Sequence, residues 1–81
     1  MQLSKKEVFD YLKNTIVEVA KISEDRVEEE SSFSDLDVDS LGIVEIVVIS
    51  EIYFKVKISD EDVTKLTCID DLVNLIVLLS K

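Results

Sequence analysis

The sequence contains no histidine, proline or tryptophan, and it has only one cysteine and one glycine among 81 residues. Without histidine there is no imidazole for a catalytic triad or for a zinc site of the usual kind. One thiol cannot form an internal disulfide, which favours a cytoplasmic protein. Because proline is absent and glycine is scarce, long helices can run uninterrupted. These absences favour a small helical bundle and disfavour an enzyme that relies on histidine.

Bases are also scarce: nine Lys and Arg stand against eighteen Asp and Glu, which gives a net charge of −9. This excess of acids disfavours nucleic acid and anionic membranes as partners, and it favours basic protein surfaces. The segment after Met1 is polar and shows no secretory signal pattern. The longest uncharged run, residues 72–80, has nine residues and is too short to span a bilayer. We expect a cytoplasmic monomer that does not insert into membranes.

The excess charge is concentrated in the middle of the chain. Residues 27–54 contain eight acids and no base, whereas residues 1–26 are balanced and residues 55–81 carry a net charge of −1. A run of acids is most often a solvated face. It can also be an electrostatic field that steers a basic partner, and the choice depends on which group the acids surround.

A capping box, Ser4 with Glu7, predicts the start of a first helix at about residues 4–21. Apolar residues recur along this segment at helical spacing. Residues 22–38 have no sustained period and are rich in Ser, Glu and Asp, which predicts a long loop with one helical turn at residues 23–26. The apolar residues expected to anchor this loop to the core are Val27, Phe33 and Leu36.

Asp39 is a good N-cap, and the apolar stretch after it predicts a second helix at about residues 40–54. Its many β-branched residues would also suit a buried strand, but the stretch is long for a strand. Glu45 and Glu51 mark the outer side of the helix. The residues that fit one apolar helical face are Leu41, Val44, Val47, Val48 and Phe54.

Two further capping patterns predict two more helices. Ser59 with Asp62 begins a short helix, and Thr67 with Asp70 begins the last one. Cys68 would then lie in the first turn of the last helix, as a small buried side chain.

The predicted fold class is therefore all-α. We expect a small four-helix bundle of three main helices and one short helix, with a long loop between helices 1 and 2. The chain is below the length at which proteins divide into two cores, so residues 1–81 should form one domain.

The acids Asp35, Asp37 and Asp39 are spaced like the start of an EF-hand calcium loop. Ser40 stands where such a loop needs glycine, and Ile46 stands where it needs a bidentate glutamate. We therefore predict no metal site in this segment.

Ser40, between Asp39 and Leu41, is the remaining candidate for chemistry. In structural terms, Asp39 is simply a cap and Leu41 the first core residue, and three residues alone carry little weight. However, a serine in the first turn of a helix after a long loop is exposed, and a helix N-terminus favours a phosphate attached there. The block of acids also brackets this hydroxyl on both sides.

Taken together, these segments resemble the acyl carrier protein family. The resemblance covers nearly the whole chain and includes its length, its acidity and the order of its helices with a long first loop. The residues that carry it are Ser32-Phe33, Asp35-Leu36, Asp39-Ser40-Leu41, Val44-Glu45, Phe54, Ile58, Asp60-Glu61 and Lys65-Leu66-Thr67.

The resemblance implies that Ser40 is esterified to 4′-phosphopantetheine from coenzyme A, and that Asp39 helps to present it to the modifying synthase. The thiol of that arm carries acyl groups as thioesters, and the carrier itself catalyses nothing. The positions that match the family's partner-docking surface are Leu41, Val44, Glu45, Val48, Glu51 and Ile58. The positions that match its acyl-chain pocket are Val47, Val63, Leu66 and Leu72.

The implied partners are a carrier-protein synthase (a phosphopantetheinyl transferase), acyltransferases, ketosynthases and other acyl-processing enzymes with basic docking patches. The implied pathway is fatty-acid or related acyl synthesis, such as that of polyketides and lipids. Two alternatives stay open: a carrier for aminoacyl, peptidyl or D-alanyl groups, and an unmodified helical interaction domain.

The chain departs from the family pattern at several positions. Gly42 stands where an acid is common, and Asp37 stands where glycine is common. Ile52 and Tyr53 occupy positions that are often acidic. We therefore expect a docking helix that is more apolar than usual, which suits a specialised carrier.

Overall fold

The computed structural model describes residues 3–80, which form four α-helices and one short 3-10 turn. In chain order these are α1 (Lys5–Ala20), the 3-10 turn (Glu24–Arg26), α2 (Ser40–Phe54), α3 (Asp60–Thr64) and α4 (Ile69–Leu79). The described part of the chain contains no strand, only one isolated bridge between Ser32 and Cys68. The predicted all-α class is confirmed, with three long helices, one short helix and a long first loop.

Helix α1 begins and ends within one residue of the predicted bounds. The Ser4 hydroxyl accepts a hydrogen bond from the Glu7 N–H at 3.2 Å and donates to Glu7 Oε1 at 3.1 Å. The helix ends where Lys21 adopts a left-handed conformation with φ of 57°, a common C-terminal cap. Its buried residues are Val8, Leu12, Thr15 and Ile16.

The long loop between α1 and α2 is tied to the core by its apolar side chains. Val27, Phe33 and Leu36 are 3%, 2% and 2% exposed, which confirms the predicted anchors. Val38, 7% exposed, is a fourth anchor that the sequence pattern did not single out. The predicted helical turn is present at Glu24–Arg26.

Backbone hydrogen bonds fix the same loop to the start of α4. The Ile69 N–H donates to the Ser31 carbonyl, and the Asp70 N–H donates to the Glu29 carbonyl, each at 3.0 Å. The Phe33 N–H donates in return to the Thr67 carbonyl at 3.0 Å. The loop thus satisfies N–H groups of the first turn of α4, which would otherwise lack partners inside the helix. This exchange explains how a long segment without regular structure stays in place.

Helix α2 has the predicted bounds, but only part of its predicted apolar face is inside: Val47 is buried and Phe54 packs against the core. Leu41, Val44 and Val48 are 77%, 49% and 45% exposed. The buried residues of the helix are Ile46, Val47 and Ser50. Because apolar residues lie on nearly every side of α2, its pattern contains little directional information, and packing against α1 decides which side is inside.

Helix α4 begins one residue later than predicted. Its N-cap is Cys68 rather than Thr67, and the acid that binds the cap is Asp71 rather than Asp70. The Thr67 carbonyl is held by the bridge to Phe33, and Cys68 is extended, so helical geometry starts only at Ile69. Cys68 is the N-cap residue and its free thiol is half-buried, so it lies neither inside the first turn nor fully buried.

The Asp71 carboxylate gathers three donors at this cap. Its Oδ2 accepts from the Thr67 hydroxyl at 2.7 Å, the Thr67 N–H at 3.0 Å and the Cys68 N–H at 3.3 Å. These hydrogen bonds, with the Thr67 hydroxyl first, hold the pKa of Asp71 below its ordinary value. The Asp71 carboxylate therefore holds the residues that begin α4, Thr67 and Cys68, in place.

The helices differ in how firmly they are packed. Helix α1 lies between α2 and α4, and the residues of α4 that are buried against it are Ile69, Leu72, Val73 and Ile76. Helix α3 packs on α2 and has no buried residue. Within residues 3–80, no helix has the length and apolar character needed to cross a membrane.

Candidate functional site

Ser40 is the first residue of α2 and is exposed. The residue before it, Asp39, is extended with φ of −82° and ψ of −179°, and its Oδ1 accepts from the Gly42 N–H at 2.8 Å. This is the N-cap that the sequence predicted. The cap turns the chain abruptly from loop to helix, and it leaves the Ser40 hydroxyl at the surface.

Ser40 lies at the N-terminal end of α2, which is the positive end of the helix dipole. The Ser40 and Leu41 N–H groups have no protein acceptor among the described residues. Unpaired N–H groups and the helix dipole together favour an anion at this position. A phosphodiester on the Ser40 hydroxyl would lie beside these groups, so the residues present fit a phosphopantetheine arm.

The loop before Ser40 is held by a compact set of hydrogen bonds. The Phe33 carbonyl accepts from the Leu36 N–H at 3.2 Å and from the Val38 N–H at 2.9 Å. Arg26 Nη2 donates to the Asp35 carbonyl at 2.9 Å and lies 3.8 Å from Asp37 Oδ2. These hydrogen bonds hold the backbone of the loop that precedes Ser40, although the Ser40 hydroxyl itself is exposed.

Asp37 adopts a left-handed conformation with φ of 60°. Glycine reaches this region without strain, and Asp tolerates it better than most other residues. This explains physically why Asp37 can stand where the resemblance leads us to expect glycine.

A groove of about 640 Å³ lies beside Ser40, between the loop and the segment that leads into α4. Its lining residues are Ser32, Phe33, Ser34, Asp37, Val38, Asp39, Ser40, Ile43, Leu66 and Thr67. Leu66, which the resemblance assigned to the acyl-chain pocket, lies in this groove and not in the cleft between α2 and α3. Sequence reasoning did not identify Ser34 or Thr67 as neighbours of Ser40, because only tertiary packing brings the chain segments together.

An apolar stripe runs down the exposed side of α2 from Ser40. We define the α2 stripe as Leu41, Val44, Val48 and Ile52, which are 77%, 49%, 45% and 74% exposed. Spacings of three and four residues place these side chains on one side of the helix. Glu45 is exposed next to the stripe. Three of the predicted docking residues, with Ile52 added, therefore form a continuous accessible surface.

Two of the predicted docking residues are placed differently. Ile58 is buried, with 6% of its surface exposed. Glu51 is half-buried, and its Oε2 accepts from the Ile58 N–H at 2.7 Å. These two residues are joined to each other and are less accessible than the α2 stripe.

A cleft of about 280 Å³ opens between α2 and α3, and we call it the α2–α3 cleft. Its lining residues are Val44, Val47, Val48, Glu51, Ile58, Asp60 and Val63. Two of the predicted pocket residues, Val47 and Val63, lie here, whereas Leu72 is fully buried in the core.

Tyr53 is 58% exposed, but its ring is held against α1 and is not part of the α2 stripe. Its ring stacks on Tyr11 of α1, with centroids 3.7 Å apart and planes 11° from parallel. Phe54 meets both rings edge-on. This aromatic cluster joins the end of α2 to α1, a contact that no local sequence pattern indicates.

The chain is similar to known proteins in both sequence and fold. The family model described as "Phosphopantetheine attachment site" matches residues 10–76. The acyl carrier protein of Acidothermus cellulolyticus is 47% identical over 77 residues, which cover 94% of this chain and 92% of that protein. The chain belongs to the acyl carrier protein family.

Other relatives agree. The acyl carrier protein of Campylobacter lari is 44% identical over 75 residues, covering 91% of this chain and 97% of that protein. The crystal structure of the acyl carrier protein of Thermotoga maritima superposes with a TM-score of 0.83. The superposition covers 93% of this chain and 88% of the Thermotoga maritima chain, at 24% sequence identity, and it supports the fold.

Family membership confirms two predictions. The protein carries 4′-phosphopantetheine as a covalently attached group, and it is a non-catalytic carrier rather than an enzyme. Family membership also implies two kinds of partner: a phosphopantetheinyl transferase, which attaches the arm, and enzymes that process acyl groups.

Proposed function

We propose that Ser40 is the attachment site of the arm, and that the protein delivers acyl intermediates of fatty-acid or related acyl synthesis. The observation that carries this proposal is the exposed Ser40 hydroxyl at the positive end of α2, directly after its Asp39 cap. When attached, the arm supplies a thiol to which acyl groups are joined as thioesters. The polypeptide holds the attachment point, recognises partners and shelters the cargo.

Asp39 has a positioning role in this proposal. Its carboxylate is engaged with the Gly42 N–H, which fixes the turn and keeps Ser40 at the surface. The exposed second side of the same carboxyl group gives a modifying synthase and its Mg²⁺ a negative group next to the hydroxyl.

Docking would use the α2 stripe with Glu45. Apolar side chains surrounded by acids match a partner surface that has an apolar centre and a basic rim. The absence of bases between residues 27 and 54 extends the same sign of charge around Ser40. Ile52 makes the stripe longer than the six predicted docking residues alone would indicate.

The acyl chain would enter the α2–α3 cleft, whose apolar lining includes Val47 and Val63. The buried apolar side chains of residues 3–80 form one hydrophobic core, which supports one carrier domain, and the high net charge supports a monomer. We place the protein in the cytoplasm, since its one cysteine is a free thiol.

Loading of Ser40 tests the proposal directly. The purified chain, incubated with coenzyme A, Mg²⁺ and a carrier-protein synthase, should gain one phosphopantetheinyl group by intact-mass measurement. Ser40→Ala should gain none. Ser59→Ala is the matched control, because Ser59 is also an exposed serine at the start of a helix, and it should load like the wild type.

Two results would contradict the assignment: a wild-type chain that gains no group, or a Ser40→Ala chain that still gains one. The cargo is then identified by mass analysis of the thioesters on protein purified from its native cell. A fatty-acyl or related acyl load supports the proposed pathway class, whereas an aminoacyl load replaces it with the aminoacyl carrier alternative.

A further inference from the structure

The connection between α2 and α3, residues 55–59, depends on Glu51 for most of its backbone hydrogen bonds to α2. The Glu51 carbonyl accepts from the Lys55 N–H and from the Val56 N–H, the latter at 3.2 Å. The Glu51 side chain reaches further and accepts from the Ile58 N–H at 2.7 Å. Glu51 therefore binds three of the donors in this short connection.

The bond to Ile58 matters most, because Ile58 is 6% exposed. A buried N–H outside regular structure requires an acceptor, and an ionised carboxylate is a stronger acceptor than a neutral oxygen. No other acceptor for the Ile58 N–H occurs among the hydrogen bonds of the described residues. Removal of the carboxylate would leave this N–H without a partner.

The position of Ile58 also sets the start of α3. Ser59 follows immediately and caps the helix, with its hydroxyl accepting from the Asp62 N–H at 3.1 Å. Helix α3 has five residues and none of them is buried, so packing alone holds it weakly. The hydrogen bond from Ile58 to Glu51 is a direct connection between this helix start and α2.

Glu51 and Ile58 both line the α2–α3 cleft, together with Val47 and Val63. A movement of Ile58 away from α2 would therefore open one edge of that cleft. Glu45 differs: it is exposed and makes no side-chain hydrogen bond or ion pair within the described residues. The two acids of α2 thus occupy different environments, although the sequence presents them as equivalent.

We propose that Glu51 is a positioning residue for the acyl chain: its carboxylate holds Ile58 and the start of α3 against α2, and so keeps the cargo cleft closed around its contents. The part that concerns cargo rests on the proposed function. The part that concerns Ile58 does not, since the hydrogen bond exists in the unmodified chain. Glu51 would thus act on the cargo, whereas Glu45 acts on partners.

Hydrogen exchange of the unmodified chain tests the first part. Glu51→Ala should speed exchange of the Ile58 amide by about tenfold or more, because a charge-assisted hydrogen bond is lost. Glu51→Gln, which retains an oxygen acceptor, should speed it less. Glu18→Ala is the matched control, since Glu18 is an exposed glutamate of α1, and it should leave Ile58 unchanged. The Ile16 amide in the core serves as the internal reference.

An unchanged rate at Ile58 in Glu51→Ala would overturn the proposal. An equal rise at Ile58 and Ile16 would overturn it too, because it would show a general loss of stability and not a local release.

Thioester hydrolysis tests the second part. The chain is loaded through Ser40 with either a decanoyl or an acetyl group, and loss of each group is followed without any partner enzyme. Glu51→Ala should lose the decanoyl group faster than the wild type, Glu51→Gln should be intermediate, and the acetyl group should be lost at an unchanged rate. The acetyl group controls for changes in the intrinsic hydrolysis of the thioester, and the exchange rate of the Ile16 amide shows whether the variant is destabilised as a whole.

Equal loss of the decanoyl group from wild type and Glu51→Ala would overturn the cargo role. So would parallel increases for the decanoyl and acetyl groups. If Ser40 accepts no arm at all, the proposed function fails, but the exchange rate at Ile58 still decides whether Glu51 holds the start of α3.

Discussion

Helices α2 and α4 are both rich in apolar residues, yet they use them differently. Helix α4 has eleven residues, and four of them are buried apolar side chains. Helix α2 has fifteen residues, of which three are buried, and one of these is Ser50. The Ser50 hydroxyl donates to the Ile46 carbonyl at 2.8 Å, so even this buried position is satisfied within the helix. The apolar side chains of the α2 stripe are therefore available for contacts outside the fold.

Their N-termini differ in the same way. The first N–H groups of α4, at Ile69 and Asp70, are bound by loop carbonyls. The Ser40 and Leu41 N–H groups of α2 have no protein acceptor among the described residues. The first N–H groups of α4 are therefore satisfied within the fold, whereas those of α2 are left free to bind an anion. The comparison suggests that α4 provides stability and α2 provides recognition.

Truncation of one leucine on each helix gives the largest expected contrast. Leu72→Ala in α4 should lower the free energy of unfolding by about 3 kcal/mol, because Leu72 is fully buried and its removal leaves a cavity. Leu41→Ala in α2 should change it by less than about 0.5 kcal/mol, since Leu41 is 77% exposed. Urea unfolding of both variants measures the difference.

If Leu72→Ala is too unstable to measure, Ile76→Val provides a milder test in the same helix, with an expected loss of about 1 kcal/mol. A loss for Leu41→Ala as large as that for the α4 variant would show that the α2 stripe belongs to the core after all.

Charge reversal on α2 should give the next largest effect, on binding rather than stability. Glu45→Lys should weaken binding of a carrier-protein synthase by about fivefold at low salt, because like charges then meet a basic patch. Glu18→Lys, an equal change of net charge on α1, should weaken it less. The gap between the two variants should narrow as ionic strength rises, since salt screens exposed charges.

Titration of the synthase with each variant at two salt concentrations provides the measurement. Equal weakening by the two variants would indicate that only net charge matters, and that α2 has no special docking role.

The cap of α4 should give the smallest effect, and one that depends on pH. The Thr67 hydroxyl helps to lower the pKa of Asp71 in the folded state. A carboxyl group whose pKa is lowered by folding stabilises the fold above its unfolded pKa, and this contribution is lost as pH falls through the lower pKa of the folded state. Thr67→Val should therefore cost about 0.5 kcal/mol at pH 7 and less in acid.

Thr64→Val is the matched control for that experiment. The Thr64 hydroxyl donates to the Glu61 carbonyl at 2.6 Å, so its loss involves no titrating partner and should cost the same at both pH values. Urea unfolding at neutral and acidic pH compares the two. A cost for Thr67→Val that does not fall in acid would contradict the role assigned to Asp71.

Helix bounds were predictable because the capping residues act locally. Ser4, Asp39 and Ser59 each accept a hydrogen bond from a backbone N–H three residues later, as their patterns predicted. The same reasoning failed by one residue at α4: Thr67 with Asp70 fits the capping pattern, but Asp71 is the acid that binds the cap. The bridge from the Thr67 carbonyl to Phe33 selects Asp71, and that bridge is invisible in the local sequence.

The candidate site was predictable in part. The exposure of Ser40 follows from its place after a cap, and the accessibility of the α2 stripe agrees with the positions that the family resemblance assigned. Periodicity alone placed Val47 and Phe54 correctly and the other three residues of the predicted face wrongly, because a helix that is apolar on nearly every side has no preferred inner side. Similarly, nothing local distinguishes Glu51, whose partner Ile58 lies beyond the end of the helix.

The four helices, the anchors of the long loop, the block of acids and the hydroxyl within it could be predicted from the order of residues. They depend on neighbouring residues, on composition and on helical periodicity. The exposed side of α2, the start of α4 and the glutamate that holds the connection to α3 emerge only in the folded chain. Each of these three features depends on contacts that no local sequence pattern indicates. Packing against α1 selects the exposed side of α2. The start of α4 and the role of Glu51 follow from the requirement that buried backbone groups find hydrogen-bond partners.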